Sequence, residues 1–427
     1  MNDDETLDDI EKPAAIETKK EAKFEFETFS SLRHRNYRYL WSGTVLMGAG
    51  QWIQQVTLGW LLYDLTGSSI LLGVLNGARA IPFLVVGPIA GVIADRVNRR
   101  HLLLMTQRIL LITAFIMGWL VASGYLVPWH LFVFTLITGI AWSFQDPVRQ
   151  SLVPNLVPKK DLVNAVALNS IAFNTTKVLG PALGGMLIAM FGPAGNFFIQ
   201  GIAYSGVLAM VYLMHVPPTP EQARRSSMLA NLKEGLGYVW SSSLILSLIS
   251  LALVPRIFAV PYQTLMPIFQ KDVLKVGPAG LGMLMAAPGI GALIALLTLA
   301  TLASRVRHQG LLLLSSVILL GLLLVIFSQT TSFRLALVVL VGVGSCQVLF
   351  NTTVNTALQM MVPDQLRGRV MSIFMLDRGL MPAGALLAGL SAHFIGAPAT
   401  TSWMGSVVFL LGVFIAWRVP LIRGVEI

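Results

Sequence analysis

A single cysteine, Cys346, stands in 427 residues. One thiol excludes an intramolecular disulfide and any cysteine-based metal site, and its place inside an apolar run marks it as a small packed residue. Charge is scarce as well: Asp, Glu, Lys and Arg make up 12% of the chain, against about 25% in an ordinary soluble domain. So little charge cannot cover a water-facing surface. The six histidines, His34, His101, His130, His215, His308 and His393, fall in loops or at the ends of apolar runs. None stands at a recognisable spacing from a nucleophile, so neither enzymatic chemistry nor a metal site is expected. No GxxxxGK[ST] phosphate loop occurs, so bound ATP is not the expected energy source and no cofactor is implied.

What the chain does have is apolar length. Residues of the set AVILMFWYC make up 55%, and the mean hydropathy is +0.73. Twelve stretches reach the roughly 20 residues that cross a bilayer: 39–63, 69–93, 102–122, 129–148, 162–190, 195–215, 243–269, 278–303, 310–328, 333–356, 368–394 and 399–418. A polar link at 216–242, carrying Pro217, Pro218 and Pro220, separates six spans from six. The expected fold is all-α and integral to the membrane: twelve transmembrane helices in two pseudo-symmetric six-helix bundles. The expected division is an acidic then basic tail (1–36), a first bundle (37–215), a linker (216–242), a second bundle (243–420) and a short end (421–427).

Residues 1–28 hold ten acids and four lysines and read as a disordered tail. The linker segment 229–240 is amphipathic enough to lie along the membrane surface. No short apolar core with a small-residue cleavage site opens the chain, so no cleavable signal peptide is expected. Beyond residue 28, 26 Lys and Arg face ten acids. Most of these cations cluster between spans: Arg96, Arg99 and Arg100; Lys159 and Lys160; Arg224 and Arg225; Arg305 and Arg307; Arg367 and Arg369. With both termini cytoplasmic, 18 cations lie on inner loops and flanks, while only Lys271, Lys275 and Arg334 face outward, as the positive-inside rule requires. A nucleic-acid-binding face would gather its cations on one surface, so nucleic acid is excluded as a partner. The expected partners are the lipid bilayer of a bacterial plasma membrane and a small-molecule substrate, met by a monomer.

The two halves echo each other. Ala94-Asp95-Arg96-Val97-Asn98-Arg99-Arg100 after the second span parallels Ala303-Ser304-Arg305-Val306-Arg307 after the eighth, and Leu156-Val157-Pro158 parallels Met361-Val362-Pro363. Internal repeats in a helical membrane protein point to a transporter with its substrate site between the halves. The loop Gly91-x-x-x-Asp95-Arg96-x-x-Arg99-Arg100 joins a close-packing glycine to a carboxylate and cations able to bridge helix ends, a contact that two rocking bundles can make and break.

This loop resembles the signature loop of the major facilitator superfamily, with Asn98 where glycine is usual. Gly180-Pro181-Ala182-Leu183-Gly184-Gly185 is similar to the GPxxGG signature of its drug/proton antiporters. Asp146-Pro147-Val148-Arg149-Gln150, Asn164 through Ser170, Leu65-Thr66-Gly67-Ser68 and Arg367-Gly368-Arg369-Val370-Met371-Ser372 resemble the exporter branch that includes the enterobactin exporter. The resemblance implies a secondary active exporter working by alternating access and driven by the proton gradient. It places a gating latch on Gly91, Asp95, Arg96, Arg99 and Arg100, and a hinge on Gly180, Pro181, Gly184 and Gly185. A packing seam is a second role for the hinge residues, compatible with the first.

Ionisable side chains inside spans are costly and face a cavity or a partner. Arg79, Lys177, Arg256 and Arg378 fall near mid-depth, accompanied by one acid, Asp377. Arg108 sits about two turns in, within snorkelling reach of the interface. Either these cations pair with carbonyls and hold the bundles together, or they make a positive cavity for an acidic, siderophore-like substrate. Asp377 is the first candidate for a proton-carrying carboxylate and Asp146, beside Arg149, the second. Stripes at Gln51, Gln54 and Gln55, at Ser170, Asn174 and Lys177, and at Gln347, Asn351 and Asn355 serve as cavity lining or as interhelical glue. Three rival functions stay open: an importer or uniporter, a multidrug exporter of cationic or lipophilic compounds, and a non-transporting membrane receptor.

Overall fold

A computed structural model describes residues 29–87, 89, 90, 93, 97–215, 236–302, 308–375 and 379–418. Among them all regular structure is helical. After a 3-10 turn, Ser30–Arg33, come α1 (Arg35–Thr66), α2 (Ser69–Val85), α3 (Arg99–Ala122), α4 (Pro128–Leu156) and α5 (Leu162–Leu213). Beyond residue 236 follow α6 (Ser243–Val254), α7 (Pro278–Leu302), α8 (Gln309–Ser328), α9 (Phe333–Met361), α10 (Asp364–Met375), α11 (Met381–Ile395) and α12 (Ala397–Arg418).

Local chemistry sets the helix ends. The Ser68 hydroxyl accepts from the Leu71 amide and opens α2, Asn98 accepts from the amides of Arg100 and His101 to open α3, and Pro128 occupies the first turn of α4, where its missing N–H costs nothing. The sequence repeat at 156–158 and 361–363 has a structural counterpart. α4 and α9 end at Leu156 and Met361, and Val157 and Val362 then turn extended, because the following prolines disfavour the helical region for the residue before them.

The expected spans 162–190 and 195–215 are two helices within Leu162–Leu213, and the chain reverses between them at Gly192, with φ 69° and ψ 175°. That backbone region belongs essentially to glycine. Gly192→Ala is therefore expected to cost about 1–3 kcal/mol, read as a lowered Tm of the detergent-solubilised protein. The expected span 243–269 is not one regular helix. From Pro255 to Val273 the chain winds through π and 3-10 turns, since Pro255, Pro261 and Pro267 each remove a backbone donor. Eight of the described helical segments are long and apolar enough to cross a membrane: Arg99–Ala122, Pro128–Leu156, Lys159–Leu213, Ser243–Val273, Pro278–Leu302, Gln309–Ser328, Phe333–Met361 and Ala397–Arg418. Their outer faces expose Ile112, Ile116, Trp119, Leu297, Val338 and Phe414, surfaces that suit hydrocarbon better than water.

In the first half α5 packs on α1 and α3, and α4 on α2 and α3; in the second, α9 packs on α7 and α8, and α8 on α12. Among the described residues the two most extensive crossings between the halves are α2 with α11 and α5 with α7. Each pairs an early helix of one half with a late helix of the other, the exchange an internal two-fold produces. The buried core reports how the halves meet. One apolar cluster runs from Leu61, Leu62, Leu72 and Phe134 of the first half straight into the second half, whereas a separate cluster around Tyr37, Leu103, Leu152 and Val207 stays within the first half. Among the described residues the halves thus share a core at the end carrying Gly67, Gly192 and Gly396, while near Arg99 and Lys159 the core cluster belongs to the first half alone.

Candidate functional site

Between the halves lies a cavity of about 270 Å³. α5 contributes Asn174 and Lys177, one helical turn apart, and α1 contributes Trp52. From the irregular stretch come Arg256, Tyr262 and Gln263, and from α9 Gln347 and Asn351, spaced four residues apart. Among the described residues the lining contains two cations and no carboxylate. Arg256 reaches this position through the π turn at Pro255–Ala259. α11 comes close there because it carries Gly384, where a Cβ would stand 2.8 Å from the Ile257 carbonyl oxygen. Trp52 Nε1 is buried without a hydrogen-bond partner among the described residues, and the buried Tyr262 hydroxyl lies beside the Gln263 amide. A buried donor is rarely left without a partner, and here the indole N–H stands beside lysine, arginine and amide groups. The site is rich in donors and suits a ligand rich in acceptor oxygens.

The other expected residues divide. Asn174, Lys177, Arg256 and Asn351 meet at this cavity, while Gln51 and Arg79 line a smaller cleft with Gln54, Thr135, Thr138 and Trp142. Gln55 and Asn355 line neither; the Asn355 side chain accepts from Gln359. Asp146 is exposed on α4 and lies outside the lining of both. Asp377 and Arg378 fall outside the described residues, as do Gly91, Asp95 and Arg96 of the latch loop and residues 216–235 of the linker. Of the latch cations, Arg99 is buried, and Arg100 donates to the carbonyls of Val211 and Tyr212 and stands 5.5 Å from the Tyr212 ring centre.

Gln54 belongs to a network that sequence reading did not assemble. Gln200 donates to Gln54 Oε1 (2.7 Å), to the Gly50 carbonyl and to the Tyr204 hydroxyl, while Gln54 donates to Thr138. Gln107 donates to the Tyr204 carbonyl and accepts from Gln145, which accepts from Arg149. Arg149 ends the chain on the Leu40 carbonyl and Thr44 Oγ1, with Gly43 leaving room for its guanidinium. Asn196 donates to Thr57 and to the Gly184 carbonyl. Such amide bonds tie helices together away from water. Lone amides in apolar spans were the available signal, but only the packing shows which pairs.

The residues Gly180 to Gly185 face two neighbours. A Cβ at Gly180 would lie 2.5 Å from Trp52 Cβ and one at Gly184 3.1 Å from Ile53 Cα, both on α1. A Cβ at Gly185 would lie 2.7 Å from Gly282 Cα on α7, and one at Gly282 2.6 Å from the Pro181 carbonyl oxygen. The α2–α11 crossing repeats this: a Cβ at Gly73 would lie 2.7 Å from the Ala385 carbonyl oxygen, and one at Gly389 2.8 Å from Gly73 Cα. At the same end Lys271 pairs with Asp64 at 2.7 Å and the Tyr63 hydroxyl donates to Asp272. Both partners of the ion pair are nearly half exposed, so it contributes about 0–1 kcal/mol, and the glycine crossings dominate the closure.

Comparison with known proteins bears on this arrangement. A family described as transmembrane secretion effector (MFS_3) matches residues 26–426. The Staphyloferrin A transporter of Staphylococcus aureus is 28% identical over 86% of this chain and 92% of its own. The multidrug efflux pump Tap of Mycolicibacterium fortuitum is 26% identical over 89% of this chain and 94% of its own. In fold the chain is similar to the crystal structure of a bacterial homologue of the human lysosomal transporter Spinster, with TM-score 0.67 and 14% identity over 91% of this chain and 96% of that one.

Proposed function

Matched by its family over nearly the whole of its length, this chain belongs to the major facilitator superfamily of transporters, and we propose on that premise that it exports acidic small molecules in exchange for protons. It is a multi-pass cell-membrane protein of the transport and efflux type, and not an enzyme. The proposal adds the twelve spans in two bundles at 37–215 and 243–420, joined by the linker 216–242, with both termini cytoplasmic. It is supported by the run of cationic loops at the basic end and by the reversal at Gly192 within the 55-residue segment Lys159–Leu213.

The observation that carries the substrate class is the composition of the cavity: Lys177 and Arg256, amides, the buried Trp52 Nε1 without a partner, and no carboxylate among the described lining residues. Cations in a cavity of low dielectric favour an anion and repel a second cation. A core shared at the far end, and a core cluster confined to the first half among the described residues of the basic end, fit a state open to the cytoplasm, ready to load cargo. In the opposite state the latch loop with Asp95 and Arg96 would close the basic end. Proton coupling is assigned to Asp377, with Asp146 second. Tap's description as a multidrug pump favours the alternative cargo, lipophilic cations.

The test uses everted membrane vesicles from cells making the protein, with an imposed gradient, acidic inside. An acidic catecholate is expected to accumulate, and a protonophore to abolish the accumulation. Accumulation that persists with the gradient collapsed would remove proton antiport.

A further inference from the structure

Arg108 is not accounted for by transport. It lies nine residues beyond Arg99 on α3, roughly 13 Å along the axis at 1.5 Å per residue, and it is exposed on the outside of the first half. Among the described residues no hydrogen bond or ion pair is made by it. A guanidinium at that depth on a lipid-facing surface is costly unless an anion or the interface receives it. The surface around it is a groove of about 400 Å³ between α3 and the returning half of α5. Leu104, Leu208, Ala209 and Leu213 line it with Ser205, Tyr212 stands toward the basic end, and among the described residues Arg108 is the only charged group in the lining. Arg100, fixed to the Val211 and Tyr212 carbonyls, holds the two helix ends together there.

We propose that this groove binds one anionic phospholipid of the cytoplasmic leaflet. Arg108 meets the headgroup phosphate from below, and an acyl chain lies along Leu104, Leu208 and Ala209. Charge complementarity selects the occupant. The groove offers one snorkelling cation and an apolar floor, and the leaflet beside it supplies an anion attached to a hydrocarbon chain. A zwitterionic lipid would bring its own cation toward Arg108. Free phosphate would leave the floor uncovered. The lipid site rests on the orientation proposed above for its leaflet, but not on any cargo.

Native mass spectrometry of the purified full-length chain counts bound phosphatidylglycerol, and a thermal melt with added lipid reads its effect on stability. Arg108→Gln is expected to lose one bound phosphatidylglycerol per protein and most of the Tm gain that this lipid gives. Arg108→Lys should retain both, and Ala209→Trp, which fills the floor and keeps the charge, should lose both. Phosphatidylcholine and inorganic phosphate are expected to give neither. An unchanged count and Tm gain in Arg108→Gln would overturn the proposal. So would equal retention of phosphatidylcholine, which marks ordinary annular lipid, or a stabilisation that phosphate alone reproduces. Because Arg108 is exposed, its substitution leaves the core intact. If Ala209→Trp fails to fold, the Gln and Lys pair still decides. The count is independent of transport, so its failure would leave the export reading standing.

Discussion

Lys177→Gln is expected to cut export of an acidic substrate tenfold or more, with unchanged protein in the membrane. The ammonium lines the inter-half cavity beside Arg256, Asn174 and Gln347. A hydrogen bond to a charged partner contributes about 1.5–3 kcal/mol, and each 1.4 kcal/mol is tenfold in affinity. Lys177→Arg should retain most activity, since the charge and a donor survive. Lys177→Glu should fall below detection, because a carboxylate facing an anion adds repulsion. The loss in Arg256→Gln should not add to that of Lys177→Gln, as two groups that grip one ligand are coupled. Uptake by everted vesicles, normalised to immunoblotted protein, provides the comparison. If export of the anion is unchanged in Lys177→Gln, the cation belongs to packing and the cavity is not the substrate site.

Gly73→Leu is expected to abolish transport while leaving a folded protein that can no longer close its far end. The α2–α11 crossing has no space there: a Cβ would lie 2.7 Å from the Ala385 carbonyl oxygen and 3.1 Å from Gly389 Cα. Overpacking typically costs about 1–3 kcal/mol, and here separating the halves relieves it, so the strain favours the outward-open state over the closed one. The ion pair Asp64–Lys271 cannot compensate, because it is solvated. Cys346 is the only thiol, so Cys346→Ala gives a clean background. Spin labels at Tyr125→Cys in the first half and Gln329→Cys in the second would report the far-end separation. That distance should lengthen in Gly73→Leu, and an unchanged distance with normal transport would show that the crossing does not gate.

Periodicity and length made most of the helices legible, and Leu156-Val157-Pro158 and Met361-Val362-Pro363 announced a repeat that the helix ends reproduce. The irregular stretch after Val254 was less legible, although Pro255, Pro261 and Pro267 stood in plain view. An apolar run reports burial, whereas the winding of a proline-interrupted helix depends on what packs against it, here Gly384. Lys177, Arg256, Asn174 and Asn351 were readable as cavity residues because ionisable and amide groups in an apolar span need an explanation. Which amides are lining and which are glue was not readable. Gln51 and Gln54 lie three residues apart, yet Gln54 is tied into the Gln200–Thr138 network by contacts far away in sequence. The sequence motif Gly180–Gly185 likewise gave no hint that its residues divide between α1 and α7.

The most direct measurement is a side-by-side assay of purified protein in proteoliposomes, with one acidic catecholate and one lipophilic cationic dye under the same proton gradient. A cavity lined by Lys177 and Arg256, with no carboxylate among its described residues, should move the anion and leave the dye behind by at least an order of magnitude. Transport of the dye without the anion would contradict it, return Arg79, Lys177 and Arg256 to structural pairing, and make the protein a multidrug exporter.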